Sequence, residues 1–455
     1  MSGSRTFLSS GRFWAISTIV IAVLIGVAGW ALYEPGPMDF AGGRRVALAA
    51  YSGMNPTGVS AELGQADPIT RGRYLAVAAD CVVCHTAKGG KPFAGGYAFN
   101  LPFGTIYSPN ITSDKATGIG DWNDADFLRA VHQGIDDRGE HLYPAFPYDS
   151  FTYLTDEDAL AIKAYLFSLP PVHNIVPESA LMFPFNQRWA LAAWSFLYNP
   201  GRRFEPNADR SPEWNRGAYL AEALAHCGEC HTPRNLAQGL DNRRKFAGAV
   251  ADGWRAFNIS SDRATGIGAW SDEELEQYLS IGHAQRHGTA SGLMGEAVDA
   301  SLHHLSKSDI HAIITYLRTI PAVSTPGFPS PKMEPAPAAP KLGVAANVDP
   351  RGKHIFEGAC AACHAWTGTG ALTPFATLTG AAAVNDPSAL NVVQIVLNGM
   401  SRPTLGATAF MPAFGEAYSD SEIAAVANYV TARFGSVASN VTSDQVADLR
   451  RPKEN

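Results

Sequence analysis

A five-residue cysteine signature recurs three times in this chain and constrains its fold more than any other feature. It reads Cys-x-x-Cys-His at residues 81–85, 227–231 and 360–364. The sequence contains six cysteines, and the three copies use all of them. No cysteine is therefore left for a disulfide or an iron–sulfur cluster.

The signature suits covalent attachment of a c-type haem. Two cysteines spaced by two residues add to the haem vinyl groups, and the next histidine binds the iron as its proximal ligand. A zinc ribbon needs two cysteine pairs at short spacing around one metal, whereas these pairs are far apart. A thioredoxin-like redox pair would not explain three copies that end in histidine. The sequence therefore predicts three haem c groups with these attachment residues and iron ligands: Cys81, Cys84, His85, Cys227, Cys230, His231, Cys360, Cys363 and His364.

A methionine on the opposite face of the iron gives an electron-transfer haem of raised potential. After the third signature, Met411 begins a Met-Pro-Ala-Phe loop, and Met400 is its competitor. After the second signature, Met294 is the methionine that precedes the next linker. We predict Met294 and Met411 as sixth ligands, although a methionine at either position would also suit a simple core role.

The first unit departs from this pattern, because the corresponding loop carries Phe146, which cannot bind iron. His132 or His141 would give a bis-histidine haem, and Met182 would have to reach in from the following segment. A five-coordinate iron is a further alternative, and either histidine would equally suit a surface position. His141 is nearer the loop and is the predicted ligand.

The first two haem units repeat one another. The run from Asn110 to Trp122 matches the run from Asn258 to Trp270 nearly residue for residue, so the chain contains a duplication. The third unit is shorter and lacks this turn. The pattern predicts closing helices over about 155–169, 305–320 and 419–434, with late tyrosines at Tyr165, Tyr316 and Tyr429.

These features divide the chain of 455 residues into three haem units and the segments that connect them. A chain of this length is expected to contain about three domains. The segment 176–210 is rich in aromatic residues, which favours a helix packed between the first two units or a surface for another subunit or lipid. A Pro- and Ala-rich spacer precedes the third unit, and the tail is expected to be poorly ordered. The predicted divisions are a membrane anchor (1–35), a tether (36–67), haem unit 1 (68–175), an interdomain segment (176–210), haem unit 2 (211–323), a linker (324–348), haem unit 3 (349–436) and a polar tail (437–455).

The N-terminus contains an uncharged apolar run over residues 13–33, preceded by Arg5 and Arg12. Its length favours an uncleaved transmembrane helix over a signal peptide, although Ala28 and Ala31 also suit cleavage. Thioether attachment takes place outside the bacterial cytoplasm. We therefore predict an inner-membrane protein with its haem units on the periplasmic side. The net charge of −7 and the lack of a basic stripe argue against a nucleic-acid partner.

The signatures, the repeated Asn-Ile turn and the Met-Pro-Ala-Phe loop resemble the triple-haem cytochrome c subunits of bacterial membrane-bound alcohol and aldehyde dehydrogenases. The resemblance covers nearly the whole chain after the anchor. It implies a mainly α fold with three tandem cytochrome c domains after one N-terminal transmembrane helix.

The resemblance also implies a non-catalytic subunit that passes electrons from a catalytic dehydrogenase subunit, of the molybdenum or quinoprotein type, to ubiquinone in the membrane. The loop around Phe146 looks more like the cytochromes that accompany molybdenum–iron–sulfur hydroxylases such as membrane-bound aldehyde dehydrogenase. A small iron–sulfur subunit is then an expected partner.

Two functions of another class compete with this relay. A peroxidase-like haem enzyme, or a ligand sensor, would need an open first haem and a polar group such as His141 beside it. The paired Met294 and Met411 favour electron transfer, because a relay does not need an open iron.

Overall fold

The structure is a computed structural model that describes residues 7–32, 42–101, 103–337, 349–403, 406 and 409–451. The described chain is mainly helical, with short antiparallel strand pairs. The mainly α architecture is as predicted. Parts of the predicted tether, linker and tail, at 36–41, 338–348 and 452–455, lie outside the described residues.

The N-terminal segment forms helix α1 (Phe7–Leu32). Among the residues that the structure describes, no helix combines the length and the apolar character needed to cross a membrane. The predicted transmembrane helix, and the inner-membrane localisation that rested on it, are therefore wrong.

The first unit begins at a helix capped by Asp67, whose carboxylate accepts from the N–H groups of Ile69 and Thr70. A capping box at Asn123 begins the helix that follows the repeated turn. The elements in chain order are α2 (Pro68–Ala78), α3 (Cys81–Cys84), β1 (Ala98–Leu101), β2 (Gly104–Tyr107), α4 (Asp124–Gln133), α5 (Tyr148–Phe151) and the closing helix α6 (Asp156–Ser168).

The interdomain segment adds strand β3 (Ala180–Leu181) to the edge of β2 and continues into α7 (Ala190–Tyr198). Trp194 of α7 contacts the Tyr148 ring of the first unit and donates its Nε1–H to the carbonyl of Ala237 in the second unit. The helix therefore lies between the two units, as one of the sequence alternatives proposed. None of its residues is buried, and Phe196 is 86% exposed.

The second unit repeats this order of elements and has a corresponding capping box formed by Ser271 and Glu274. A π-helical turn over Leu220–Leu224 leads into the signature. The elements are α8 (Pro212–Tyr219), α9 (Gly228–His231), β4 (Ala249–Ala251), β5 (Trp254–Ala256), α10 (Asp272–Ile281), β6 (His283–Ala284), β7 (Gly288–Thr289), α11 (Gly292–Ala300) and the closing helix α12 (Lys307–Leu317).

The third unit has its own core, separate from the one beneath the first two units. The described part of its tail, 437–451, is ordered, contrary to the prediction, because Val446 is fully buried and Arg450 pairs with Asp420 at 2.6 Å. The elements are α13 (Pro350–Ile355), α14 (Ala361–His364), α15 (Leu390–Asn398), β8 (Met400–Ser401), β9 (Phe410–Met411), the closing helix α16 (Asp420–Phe434) and α17 (Ser443–Arg450).

The opening and closing helices of every unit cross at a glycine. A Cβ atom at Gly72, Gly217 or Gly352 would lie well inside 3.0 Å of a carbonyl oxygen in the opposite helix, namely that of Ala161, Ala312 or Ala425. The Cβ atoms of the three predicted late tyrosines lie against the same glycines. Such close backbone approach requires a residue without a side chain. The three units therefore share one helix-crossing geometry.

The first and second units form one structural body, because a single apolar core runs through both. Each unit also receives a tyrosine hydroxyl from the other. Tyr74 of the first unit donates to Asp309 at 2.6 Å, and Tyr219 of the second donates to Asp158 at 2.5 Å. This reciprocal pair places the duplicated units around a local pseudo-twofold relationship.

The described part of the predicted tether, 42–67, packs on this body instead of hanging free. Arg216 donates to the carbonyls of Pro56 and Gly58, and the N–H of Gly58 donates to Asp158. The segment thus covers the seam between the two units.

Candidate haem-binding sites

Each signature folds into one short helical turn. The turns are α3, α9 and α14, and the cysteines at positions i and i+3 and the histidine at i+4 fall on one face of each turn. None of the six cysteines is paired in a disulfide. The local geometry therefore presents two sulfurs and one imidazole to the same side, as haem c attachment requires.

The three signature histidines are held in the same way. Nδ1 of His85 donates to the carbonyl of Pro109 at 2.9 Å. Nδ1 of His231 donates to Phe257, and Nδ1 of His364 to Ala376, both at 2.6 Å. Because Nδ1 carries the proton, Nε2 is left with its lone pair for a metal, which is the usual arrangement of a ligating histidine.

Burial also keeps these imidazoles in the ligating form. It lowers the pKa of His85, His231 and His364 from the usual value, while the carbonyl bond opposes that change. A neutral histidine is the form that binds a metal. The residues present therefore fit haem c, and the three histidines would supply its proximal ligands.

The repeated asparagine turn supplies the carbonyl that orients the histidine. Pro109 and Phe257, the two acceptors, directly precede Asn110 and Asn258. Oδ1 of each asparagine accepts from the N–H two residues on, and Nδ2 donates to the carbonyl of Val172 or Val323 beyond the closing helix. The sequence identified this run only as a structured turn, whereas its tertiary role is to fix the imidazole acceptor.

The two other interpretations of the cysteine pairs do not fit the geometry. Burial raises the pKa of the Cys81 and Cys227 thiols to about 12, whereas a thioredoxin-like pair needs a lowered pKa. Among the described residues, no group of three or more His, Cys, Asp or Glu side chains could hold a metal ion. A shared zinc site is therefore excluded within that part of the chain.

The first two signatures lie near each other. Burial, followed by the neighbouring Asp80, Cys81 and Cys230, raises the pKa of Cys84 to about 12. Close by, Glu229 inside the second signature accepts from the Ser150 hydroxyl of the first unit at 3.0 Å. Sequence reasoning missed these inter-unit contacts.

The predicted sixth ligands of the second and third units lie in a helix and in a strand. Met294 lies in α11, half-buried, and packs against the same core as Cys227. Met411 lies in β9 directly opposite Met400 in β8, so the predicted ligand and its competitor are cross-strand partners. Both predicted methionines belong to segments that lie between the signature and the closing helix.

In the first unit, Phe146 packs against the core, as Met294 does in the second unit. His141 is bridged to Ile135 across a tight hairpin and is half-buried, and its Nδ1 is buried without a hydrogen-bond partner. His132 has a structural position, with Nδ1 bonded to the carbonyl of Phe151 and Nε2 3.4 Å from Asp156. Met182 is 60% exposed.

Comparison with known proteins agrees with this geometry. Residues 69–170 match the "Cytochrome c" family model, and residues 347–430 match the model for "Cytochrome C oxidase, cbb3-type, subunit III". The chain is 39% identical to the fructose dehydrogenase cytochrome subunit of Gluconobacter japonicus, over 84% of this chain and 82% of that protein. It is 40% identical to the gluconate 2-dehydrogenase cytochrome c subunit of Pantoea cypripedii, over 84% and 89%.

A longer relative is a nicotinate dehydrogenase subunit of Pseudomonas putida, which is 40% identical over 85% of this chain. The chain spans 32% of the length of that protein. Similarity over most of both chains in the two cytochrome subunits above, together with the signatures and their fixed histidines, leads to one conclusion. This chain belongs to the family of haem c-carrying cytochrome c subunits of bacterial dehydrogenases, which transfer electrons.

Proposed function

We propose that this chain carries three haem c groups and relays electrons from the catalytic subunit of a dehydrogenase complex to ubiquinone. The observation that carries the proposal is the threefold recurrence of a cysteine pair followed by a histidine with its Nδ1 bonded to a backbone carbonyl. Bound haem iron supplies one-electron chemistry between the ferric and ferrous states. The haem units would be 68–175, 211–323 and 349–436.

The number of haems is the first point to test. Intact-mass measurement and a haem-to-protein ratio on the purified full chain should give three covalent haems. The variants Cys84→Ala, Cys230→Ala and Cys363→Ala should each weaken attachment at one site and leave two fully bound. A wild-type protein with one or two haems would contradict the proposal.

Met294 and Met411 are proposed as sixth ligands of the second and third haems. Their support is position, since each lies in the segment between a signature and a closing helix. Replacement of Met294 or Met411 by leucine should abolish one methionine-to-iron charge-transfer band and lower one reduction potential. Met400→Leu is the matched control, because Met400 lies across the strand pair from Met411. Loss of the third-unit band in Met400→Leu alone would assign the ligand to Met400 instead.

His141 is proposed as the sixth ligand of the first haem. It is supported by its buried, unbonded Nδ1 and by Phe146 in the place where a methionine would serve. Electron paramagnetic resonance of the oxidised protein should show one bis-histidine haem, which His141→Ala should remove. His132→Ala is the control, because Nδ1 of His132 is bonded to the carbonyl of Phe151 within the same unit.

Carbon monoxide binding and peroxide turnover test the alternative of a haem enzyme or sensor. If carbon monoxide binds one ferrous haem of the wild-type protein and peroxide turnover accompanies it, the first haem is open. That result would replace the closed relay site with a ligand-binding site. A wild-type protein that binds no carbon monoxide supports the relay.

The partner is proposed to be a catalytic dehydrogenase subunit of the molybdenum type, with a small iron–sulfur subunit. The loop with Phe146 supports this choice over the quinoprotein type. Relatives at 34–35% identity are named cytochrome c subunits of "Alcohol dehydrogenase (quinone)", which supports a quinone acceptor. Affinity purification of the tagged full chain from detergent extracts, with metal and mass analysis, should recover molybdenum and iron–sulfur subunits. A quinoprotein or flavoprotein partner would overturn that choice and preserve the relay.

A further inference from the structure

The second and third units meet at the hairpin formed by β6 and β7. The hairpin backbone lies against the third unit at Gly288, where a Cβ would be 2.8 Å from the Cβ of Ala381. On the other side, a Cβ at Gly380 would overlap the carbonyl oxygen of Arg286. A glycine on each side therefore permits backbone-level contact between the two units.

A second contact, made by Arg402 just after β8, holds the third unit against the same hairpin. The Arg402 side chain is 2% exposed and donates to the Asp299 carboxylate at 2.8 and 2.9 Å. It also donates to the carbonyls of Ile281 and Ala290, which flank the hairpin. The hairpin is therefore held at its base by a group of the third unit.

A hydrogen-bonded pair on the hairpin faces the third unit. The Thr289 hydroxyl donates to the carbonyl of Phe375 at 2.9 Å. Since that hydroxyl has one proton, it accepts from His283 Nδ1 at 2.9 Å. The His283 ring is buried and packs edge-on against the Phe375 ring, with centroids 5.0 Å apart.

In the third unit, this contact lies next to the proposed proximal ligand His364. Ala376, which follows Phe375, is the residue whose carbonyl accepts from Nδ1 of His364 at 2.6 Å. In the second unit, the N–H of Ala290 donates to the carbonyl of Gly282 at the base of the hairpin. The chain then continues directly into α11, which contains Met294. Thr289 and His283 thus lie between the helix of Met294 in the second unit and the His364 site in the third unit.

The corresponding hairpin of the first unit lacks this pair. There the bridge joins Ile135 to His141, so an isoleucine replaces the histidine of the pair. The carbonyl of His141 instead accepts from Arg188 of the interdomain segment. The polar pair is therefore present at the hairpin on which another haem unit docks.

We propose that Thr289 and His283 form the route by which an electron crosses between the second and third haems. This inference rests on the proposed three-haem function. His231 and His364 would each hold a haem iron, and these irons would supply the one-electron donor and acceptor: one ferrous iron would become ferric as the other, ferric, became ferrous, with no bond or proton exchanged. Thr289 is a positioning residue, because it joins the hairpin to the Phe375–Ala376 backbone.

Three variants of the full haem-loaded chain test the route. Thr289→Val keeps the shape and removes the hydroxyl, whereas Thr289→Ser keeps the hydroxyl. Thr319→Val is the matched control, because the Thr319 hydroxyl also accepts from a ring N–H, that of Trp214, and donates to a backbone carbonyl, that of Tyr316. These two partners of Thr319 lie inside the second unit.

Flash photoreduction followed by transient absorption measures electron redistribution among the haems, and potentiometric titration gives their potentials. Thr289→Val should slow redistribution between the second and third haems several-fold at matched driving force. Thr289→Ser and Thr319→Val should keep the wild-type rate. Protease resistance of the linker should stay unchanged in Thr289→Val, which separates loss of the route from loss of docking.

A wild-type rate in Thr289→Val, or an equal slowing in Thr319→Val, would overturn the route and leave the relay intact. A wild-type protein with fewer than three haems, or without any redistribution, would overturn the proposed function together with the route.

Discussion

Replacing Gly217 by alanine tests the helix crossing on which each haem unit is built. The new methyl group would overlap the carbonyl oxygen of Ala312, and restoring an allowed separation of at least 3.0 Å would move α8 and α12 apart by about 1 Å. The atom it meets is backbone, so no side-chain rotation relieves the contact. Overpacking of this kind costs about 1–3 kcal/mol and sometimes more.

The helix propensity of alanine offsets up to about 1 kcal/mol of that cost. We expect a net loss of about 2 kcal/mol, because a backbone contact falls at the upper end of the overpacking range. For a core of roughly 150–250 residues, such a loss lowers Tm by about 4–8 °C. Calorimetry of the haem-loaded full chain measures this shift.

The control is Gly358→Ala, since a Cβ at Gly358 meets no atom within 4 Å. It should leave Tm unchanged or raise it slightly. Gly352→Ala should lower the transition of the third unit alone, because that unit has a separate core. A Gly217→Ala protein that melts at or above the wild-type temperature would refute the crossing argument.

Three further predictions concern buried polar groups. Burial, then the neighbouring Glu229, raises the pKa of Asp149 to about 8; its stabilising contribution is therefore present below the unfolded pKa of about 4 and is lost as pH rises towards 8. Tm measured from pH 4 to 8 should thus fall less in Asp149→Asn than in the wild type, and equal slopes would refute the assignment. Asn258→Ala should cost about 1–3 kcal/mol in urea unfolding, since it leaves the buried Ser260 N–H without its partner and removes the shorter of two hydrogen bonds to the Val323 carbonyl; an unchanged midpoint would contradict the role of the turn. Arg402→Met should increase protease cleavage within 324–348, because it removes the buried guanidinium that docks the third unit; wild-type resistance would show that docking does not need it.

The shared geometry of the three signatures could be predicted from sequence because it is local. Two cysteines and a histidine at i, i+3 and i+4 fall on one face of a single helical turn whatever the rest of the chain does. The closing helices were equally readable, since Ser419 and Thr155 cap them through bonds three residues away. The N-terminal run was the exception, because its composition predicted a membrane-spanning helix and no described helix is long and apolar enough to be one.

Only the tertiary structure decided the contacts between segments that lie far apart in the chain. The exchange of Tyr74 and Tyr219 with Asp309 and Asp158 depends on how the duplicated units are rotated against each other. No local pattern encodes that rotation, because it is set by the packing of one shared core. For the same reason, the sequence placed the asparagine turn but not its role, since Asn110 acts through a histidine it meets only after folding. The sequence by itself determined where the three cysteine–histidine signatures lie, and the packing of the units determined which residues lie between one signature and the next.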